Sequence, residues 1–295
     1  MIDFESSKEL DEFLTEESKR LNFSKRNLYN IYFARKLLKR ITDMDKNHSL
    51  VVKGSIAQLA HLKKLIRSIT DIDLTISTDN IYSLMSIINA LDSKKGNIKY
   101  ENNSINRTYT GTYKIPVNIK LDKMIRHIGI DYKEDNPFIF ERQKKTVPKI
   151  FTGDEEYSVI VPSLEETLAE KLCIIMKCNK DFVINTRIKD FYDIYNLYDR
   201  EFDLDKFSYY FEKFLIEEGK IDMSKANTDH LSKKFIDRHK KVWRIKKENF
   251  QFVNDIGLEE AVYYTKSIID NELKKQRQSE NKSYFFCMTD DKNSN

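Results

Sequence analysis

The last proline of the chain is Pro162, and beyond it the only glycines are Gly219 and Gly257. Proline removes a backbone donor and glycine loosens a helix, so a long stretch that avoids both is free to run as helix. This stretch also opens on a start signal. Ser163 and Glu166 have capping-box spacing, and Leu164, Leu168, Leu172 and Ile175 recur at helical intervals. The spacing predicts helix from there to about residue 277. The segment before Pro162 carries the remaining glycines and prolines and reads differently, with short apolar runs of period two. The expectation is an α+β chain in parts: a mixed sheet flanked by helices over 1–160, an all-α bundle over 161–280, and a loose tail over 281–295.

Within the first part, residues 5–45 read as helices, with Ser24 as an N-cap and Leu28, Ile31, Tyr32, Ala34 and Leu37 as an inward stripe. "SLVVKG" reads as a buried strand and "SIAQLAHLKKLI" as a helix. "DIDLTIS" alternates, so Ile72, Leu74 and Ile76 share one face and Asp71, Asp73 and Thr75 the other. "DNIYSLMSIINALDSKK" reads as a helix capped by Asp79. Residues 97–131 read as short strands, and in "VNIKLDK" Val117, Ile119 and Leu121 oppose Asn118, Lys120 and Asp122.

Two features of this part carry chemistry. A Gly-Ser directly after a strand and before a helix, Gly54–Ser55, lets a phosphate approach the backbone where a helix N-terminus offers unpaired N–H groups. Alone, a Gly-Ser is an ordinary turn. Asp71 and Asp73 on one strand face stand about 6–7 Å apart at Cα. Hard cations such as Mg²⁺ take carboxylates together with substrate phosphate. Alone, such a pair is a solvated strand face. Asp122, on the polar face of a later strand, is expected to converge with them if the strands pair.

Taken together, Gly54, Ser55, Asp71, Asp73 and Asp122 resemble the layout of the polymerase-beta-like nucleotidyltransferases. A closer resemblance is to the AbiEii/AbiGii toxin family, over roughly residues 45–200. Lys53, Gly54 and Ser55 followed by Arg67, Asp71 and Asp73 match its first segment. Glu170, Lys171, Arg187, Asp190 and Asp193 match its second. Ile69 stands where that family commonly has Ser or Thr, and Ser55 replaces its commoner second glycine.

The resemblance implies a nucleotidyltransferase toxin of a type IV toxin–antitoxin or phage abortive-infection system. It moves a nucleotide from an NTP to an RNA acceptor, with the tRNA 3′ end as the expected target. Asp71, Asp73 and Asp122 would hold Mg²⁺ in two sites. Gly54 and Ser55, with Lys53 and Arg67, would contact the phosphates, and Lys171 and Asp190 would serve catalysis. Asp193 reads as structural. A cognate antitoxin is an implied partner.

Charge makes no polycation of the chain: the net charge is only +4, so a nucleic-acid surface must be local. The candidate is residues 231–250, where Lys233, Lys234, Arg238, Lys240, Lys241 and Arg244 surround Trp243, the single tryptophan. Basic side chains with an aromatic suit RNA; the same run also reads as a solvated helix face with Phe235, Val242 and Trp243 inward. Cys173, Cys178 and Cys287 form no CxxC pair, and no apolar run reaches membrane-spanning length, so a soluble cytoplasmic protein is expected. Two other functions compete: transfer of a nucleotidyl or phosphoryl group to a protein or small-molecule hydroxyl, and a non-catalytic module that binds nucleotide, RNA or an antitoxin.

Overall fold

The structure is a computed structural model that describes residues 2–45, 49–76, 81–91, 97–102, 104–108, 111–134, 141–177 and 181–290. They fall into two compact units. The first comprises Met1–Ser163 with Asn249–Asn254, the second Leu164–Glu248 with Asp255–Asn295. The border lies two residues beyond the expected Val161. The return of residues 249–254 to the first unit was not anticipated.

The first unit starts with helices α1 (Ser7–Leu21) and α2 (Lys25–Met44). Ser6 and Ser24 cap them, accepting the N–H of Glu9 and Asn27. Then come β1 (Val51–Val52), α3 (Gly54–Leu62), β2 (Asp71–Ile76), α4 (Ile81–Ala90), β3 (Ile98–Asn102), β4 (Asn106–Arg107), β5 (Thr112–Leu121) and β6 (Met124–Glu134). The expected cap of α4, Asp79, lies outside the described residues. The sheet order is β1-β2-β6-β5-β3, with β4 pairing β5. Among the described residues only β2 and β6 run parallel; the other pairs of this sheet are antiparallel. A separate hairpin joins β7 (Arg142–Val147) and β8 (Tyr157–Pro162).

The alternation of β2 decides which face is buried. Ile72 and Leu74 point into the core with Ile115, Val117, Ile119, Ile128 and Ile130 of β5 and β6 and with Leu28, Ile31, Leu37 and Leu38 of α2. Each such side chain contributes roughly 1.5–3 kcal/mol on burial. That leaves Asp71 and Asp73 on the opposite face, both half-buried. Arg35 and Asp154 form a buried ion pair in this unit: Arg35 Nη2 donates to Asp154 Oδ2 at 2.7 Å, and neither side chain is more than 1% exposed.

The returning segment is stitched into this unit by its backbone and one side chain. Ser68 N–H donates to the Phe250 carbonyl (2.7 Å) and Val253 N–H to that of Ile66 (2.9 Å). Gln251 accepts from Ser24 N–H and donates to the Asn22 carbonyl.

The second unit is helical: α5 (Leu164–Lys177), α6 (Asp181–Tyr198), α7 (Leu204–Lys213) with a π-helical turn over Phe214–Glu218, α8 (Lys233–Phe250) and α9 (Leu258–Asp290). Asp203 caps α7, accepting from the N–H groups of Asp205 and Lys206. Its core is aromatic, with Tyr198, Phe207 and Phe211 in ring contact. The expected tail from 281 is corrected: α9 continues through Asp290, because the sequence there holds neither proline nor glycine. Residues 291–295 lie outside the described residues. No described helix is long and apolar enough to cross a membrane.

Candidate active site

Lys53, extended at the end of β1, donates its N–H to the Asp73 carbonyl at 2.8 Å. Gly54 then takes a left-handed φ of +62° and opens α3. A Cβ placed on Gly54 would fall 1.8 Å from Asp73 Oδ2. Glycine is therefore required twice, for its dihedral and for the carboxylate packed on it. Ser55 follows, 8% exposed, and its Oγ is buried without a hydrogen-bond partner among the described residues. A buried hydroxyl left unpaired costs about 1–3 kcal/mol, a reason to look for a ligand here.

Asp71 is half-buried and accepts from Thr70 Oγ1 at 3.2 Å. The parallel pairing of β2 with β6 sets Asp71 beside Gly129 and Asp73 beside Asp131. Residues in register on adjacent strands share a face, about 4.8 Å apart, so Asp131 stands with Asp71 and Asp73. Beside Asp71 there is open space: a Cβ on Gly129 would meet nothing within 4 Å. On the far side of β6, Lys114 is in register with Asp131, and its Nζ lies 2.6 Å from Asp131 Oδ2.

Asp122 is not the third carboxylate of this face. It occupies the turn between Leu121 and Met124, at φ +51°, and accepts from Ser7 Oγ at 3.1 Å. Met124 and Asp131 are separated by roughly 23 Å of strand at 3.3 Å per residue. The alternation through Leu121 was real, but the chain reverses at the next residue, where Asp tolerates a left-handed backbone. Asp131 was missed although "RHIGIDYKE" alternates as clearly, with Ile128, Ile130 and Tyr132 inward and Gly129 and Asp131 outward.

Arg67 also departs from its expected role as a phosphate contact. It is 3% exposed, donates to the Ser68 carbonyl at 3.2 Å, and its guanidinium lies 5.6 Å from the Phe250 ring centroid. It fastens the returning segment.

Within the helical unit, Lys171 of α5 donates to Asp190 Oδ1 (2.6 Å) and Asp193 Oδ2 (3.0 Å), both on α6. The side chains are 12%, 3% and 0% exposed, and Arg187 Nη1 stands 3.9 Å from Asp190 Oδ2. Asp193 is thus a direct partner of Lys171. On α8, Phe235, His239 and Trp243 are buried at intervals of four, whereas Lys233, Lys234, Arg238, Lys240, Lys241 and Arg244 are exposed. Trp243 packs inward and offers no ring for stacking.

Among the described residues, no group of three His, Cys, Asp or Glu side chains is drawn together as a metal shell; Asp131 is instead engaged by Lys114. The donor chemistry nonetheless fits a hard cation: carboxylates on one sheet face beside a glycine cradle and an unpaired hydroxyl.

A mixed sheet with two carboxylates on one strand, a third on its parallel neighbour and a Gly-Ser helix start has the layout of the nucleotidyltransferase fold that the sequence resembles. The chain belongs to the family described as nucleotidyl transferase AbiEii toxin, type IV toxin–antitoxin system, whose model matches residues 36–273. No curated protein matches it. Among solved structures it is similar to JHP933 from Helicobacter pylori, with 17% identity, 88% of this chain and 99% of that one covered, and a TM-score of 0.48. A second H. pylori chain, provisionally described as a nucleotidyltransferase, aligns at 16% identity over 87% and 98%, with a TM-score of 0.44.

Proposed function

We propose that the protein transfers a nucleoside monophosphate from an NTP to the 3′ hydroxyl of an RNA acceptor, with tRNA as the expected substrate. The observation that carries this reading is the register of Asp73 with Asp131, beside a Gly54 that packs against Asp73.

The N–H groups at the start of α3 and the Ser55 hydroxyl bind the triphosphate, which the Gly54 backbone approaches without a side chain in the way. Asp71, Asp73 and Asp131 would hold Mg²⁺, two ions in this reading. Magnesium, when bound, supplies positive charge against the phosphates. Asp131 accepts the proton of the acceptor hydroxyl. The oxygen forms its bond to the α-phosphorus as the bond from that phosphorus to the bridging oxygen breaks, and pyrophosphate leaves. The Lys53 ammonium enters as a phosphate contact, and within the helical unit Asp190 and Asp193 hold Lys171 in place. The exposed Lys234, Arg238, Lys241 and Arg244 of α8 contact the RNA backbone. The protein works in the cytoplasm under control of a cognate antitoxin, and phage defence is the setting that fits such a pair.

Incubation with α-labelled NTPs, Mg²⁺ and total RNA tests this. Label in tRNA that disappears in Asp73→Asn is the expected result. Label in protein or a small molecule instead would redirect the acceptor, and no Mg²⁺-dependent label anywhere would remove the reading.

A further inference from the structure

Three adjacent strands carry Asp73, Asp131 and Lys114 in one lateral row: β2 pairs β6 at Asp73 and Asp131, and β6 pairs β5 at Asp131 and Lys114. The charges run minus, minus, plus. The ammonium already holds one oxygen of the middle carboxylate, at 2.6 Å. Asp131 is 27% exposed and Lys114 56%, so the lysine is free to swing away into solvent while Asp131 stays on the sheet. Among the described residues, no second carboxylate pairs with Lys114. A cross-strand ion pair of this kind is worth little to a sheet. Its position, on the carboxylate that completes the acidic face, gives it a larger effect on what that face binds.

We propose that Lys114 is a built-in competitor for the metal: its ammonium must leave Asp131 before that carboxylate can ligate a divalent cation. The lysine lowers the affinity of the face for metal and keeps Asp73 and Asp131 from repelling one another until metal and nucleotide arrive. This rests on the reading of Asp131 as a metal ligand given above. Lys114 acts through Asp131 and is a positioning residue.

Mn²⁺ binding to the full-length protein, followed by electron paramagnetic resonance of the free ion, tests the inference without relying on turnover. Lys114→Met should bind Mn²⁺ about two- to fivefold more tightly than the wild type, the scale of a partly exposed ion pair. Lys114→Arg, which keeps a cation, should stay near wild type. Unchanged or weaker binding in Lys114→Met overturns the proposal. Asp73→Asn separates the two levels. If it loses Mn²⁺ while Lys114→Met binds like wild type, the site stands and the competitor falls. If Asp73→Asn binds like wild type, the site itself falls and the lysine's role with it.

Discussion

Gly54 and Asp73 are in contact so close that no side chain fits between them: a Cβ on Gly54 would lie 1.8 Å from Asp73 Oδ2 and 3.1 Å from Asp73 Cβ. The strand-to-helix turn and the acidic strand are therefore one device. A change at the glycine acts on the carboxylate.

Gly54→Ala should accordingly displace Asp73 and abolish nucleotide transfer. The left-handed φ alone costs an alanine about 1–2 kcal/mol, so the melting temperature should fall modestly while activity falls to background. Activity near wild type, with the fold intact, would mean the contact has no catalytic meaning.

The Arg35–Asp154 pair is an interior lock with two further Arg35 nitrogens, Nε and Nη1, unpaired. Removing one partner leaves a buried charge alone. Asp154→Ala should lose about 3–5 kcal/mol in urea unfolding, and pairing it with Arg35→Met should recover much of that loss.

Glu17 makes a pH prediction. Burial pushes its carboxyl up, but donors from Arg20 and Thr152 outweigh this and hold it below its ordinary value. A depressed folded pKa gives stability that is present above the unfolded value, near 4.5, and lost as pH falls through the folded one. Glu17→Gln should cost about 1.5–3 kcal/mol at pH 7. Melting curves of the two proteins should converge as pH falls below 4.5 and on through the depressed folded value.

The outward face of α8 makes a salt-dependence prediction. Lys234, Lys241 and Arg244 replaced together by alanine should weaken RNA binding and reduce the slope of log K against log salt by about two, at roughly 0.7 per single-strand phosphate contact. NTP binding should not change. An unaltered slope would remove α8 from the RNA surface.

Much of this was legible locally. The Ser24 cap, the alternation of β2 and the glycine between strand and helix depend on neighbouring residues, and each formed as its spacing predicts. What failed depended on distant pairing. Nothing near Asp131 says that β6 lies parallel to β2, and nothing near Asp122 outweighs an alternation that ends one residue earlier. Arg67 read as a phosphate contact because its ring partner, Phe250, arrives from a distant part of the chain. The pairing of Lys171 was not legible because its two carboxylates sit on the next helix, and Asp193 could not be told from an ordinary core-facing residue until that helix was placed.

The most direct test compares two single substitutions in the labelled-nucleotide assay. Asp131→Asn should lower transfer by about 100- to 10,000-fold, the range for loss of a positioned acid–base group, with melting temperature little changed. Asp122→Asn, at the hairpin turn beside Ser7, should transfer at close to the wild-type rate. Full activity in Asp131→Asn, or a loss confined to Asp122→Asn, would contradict the site described here.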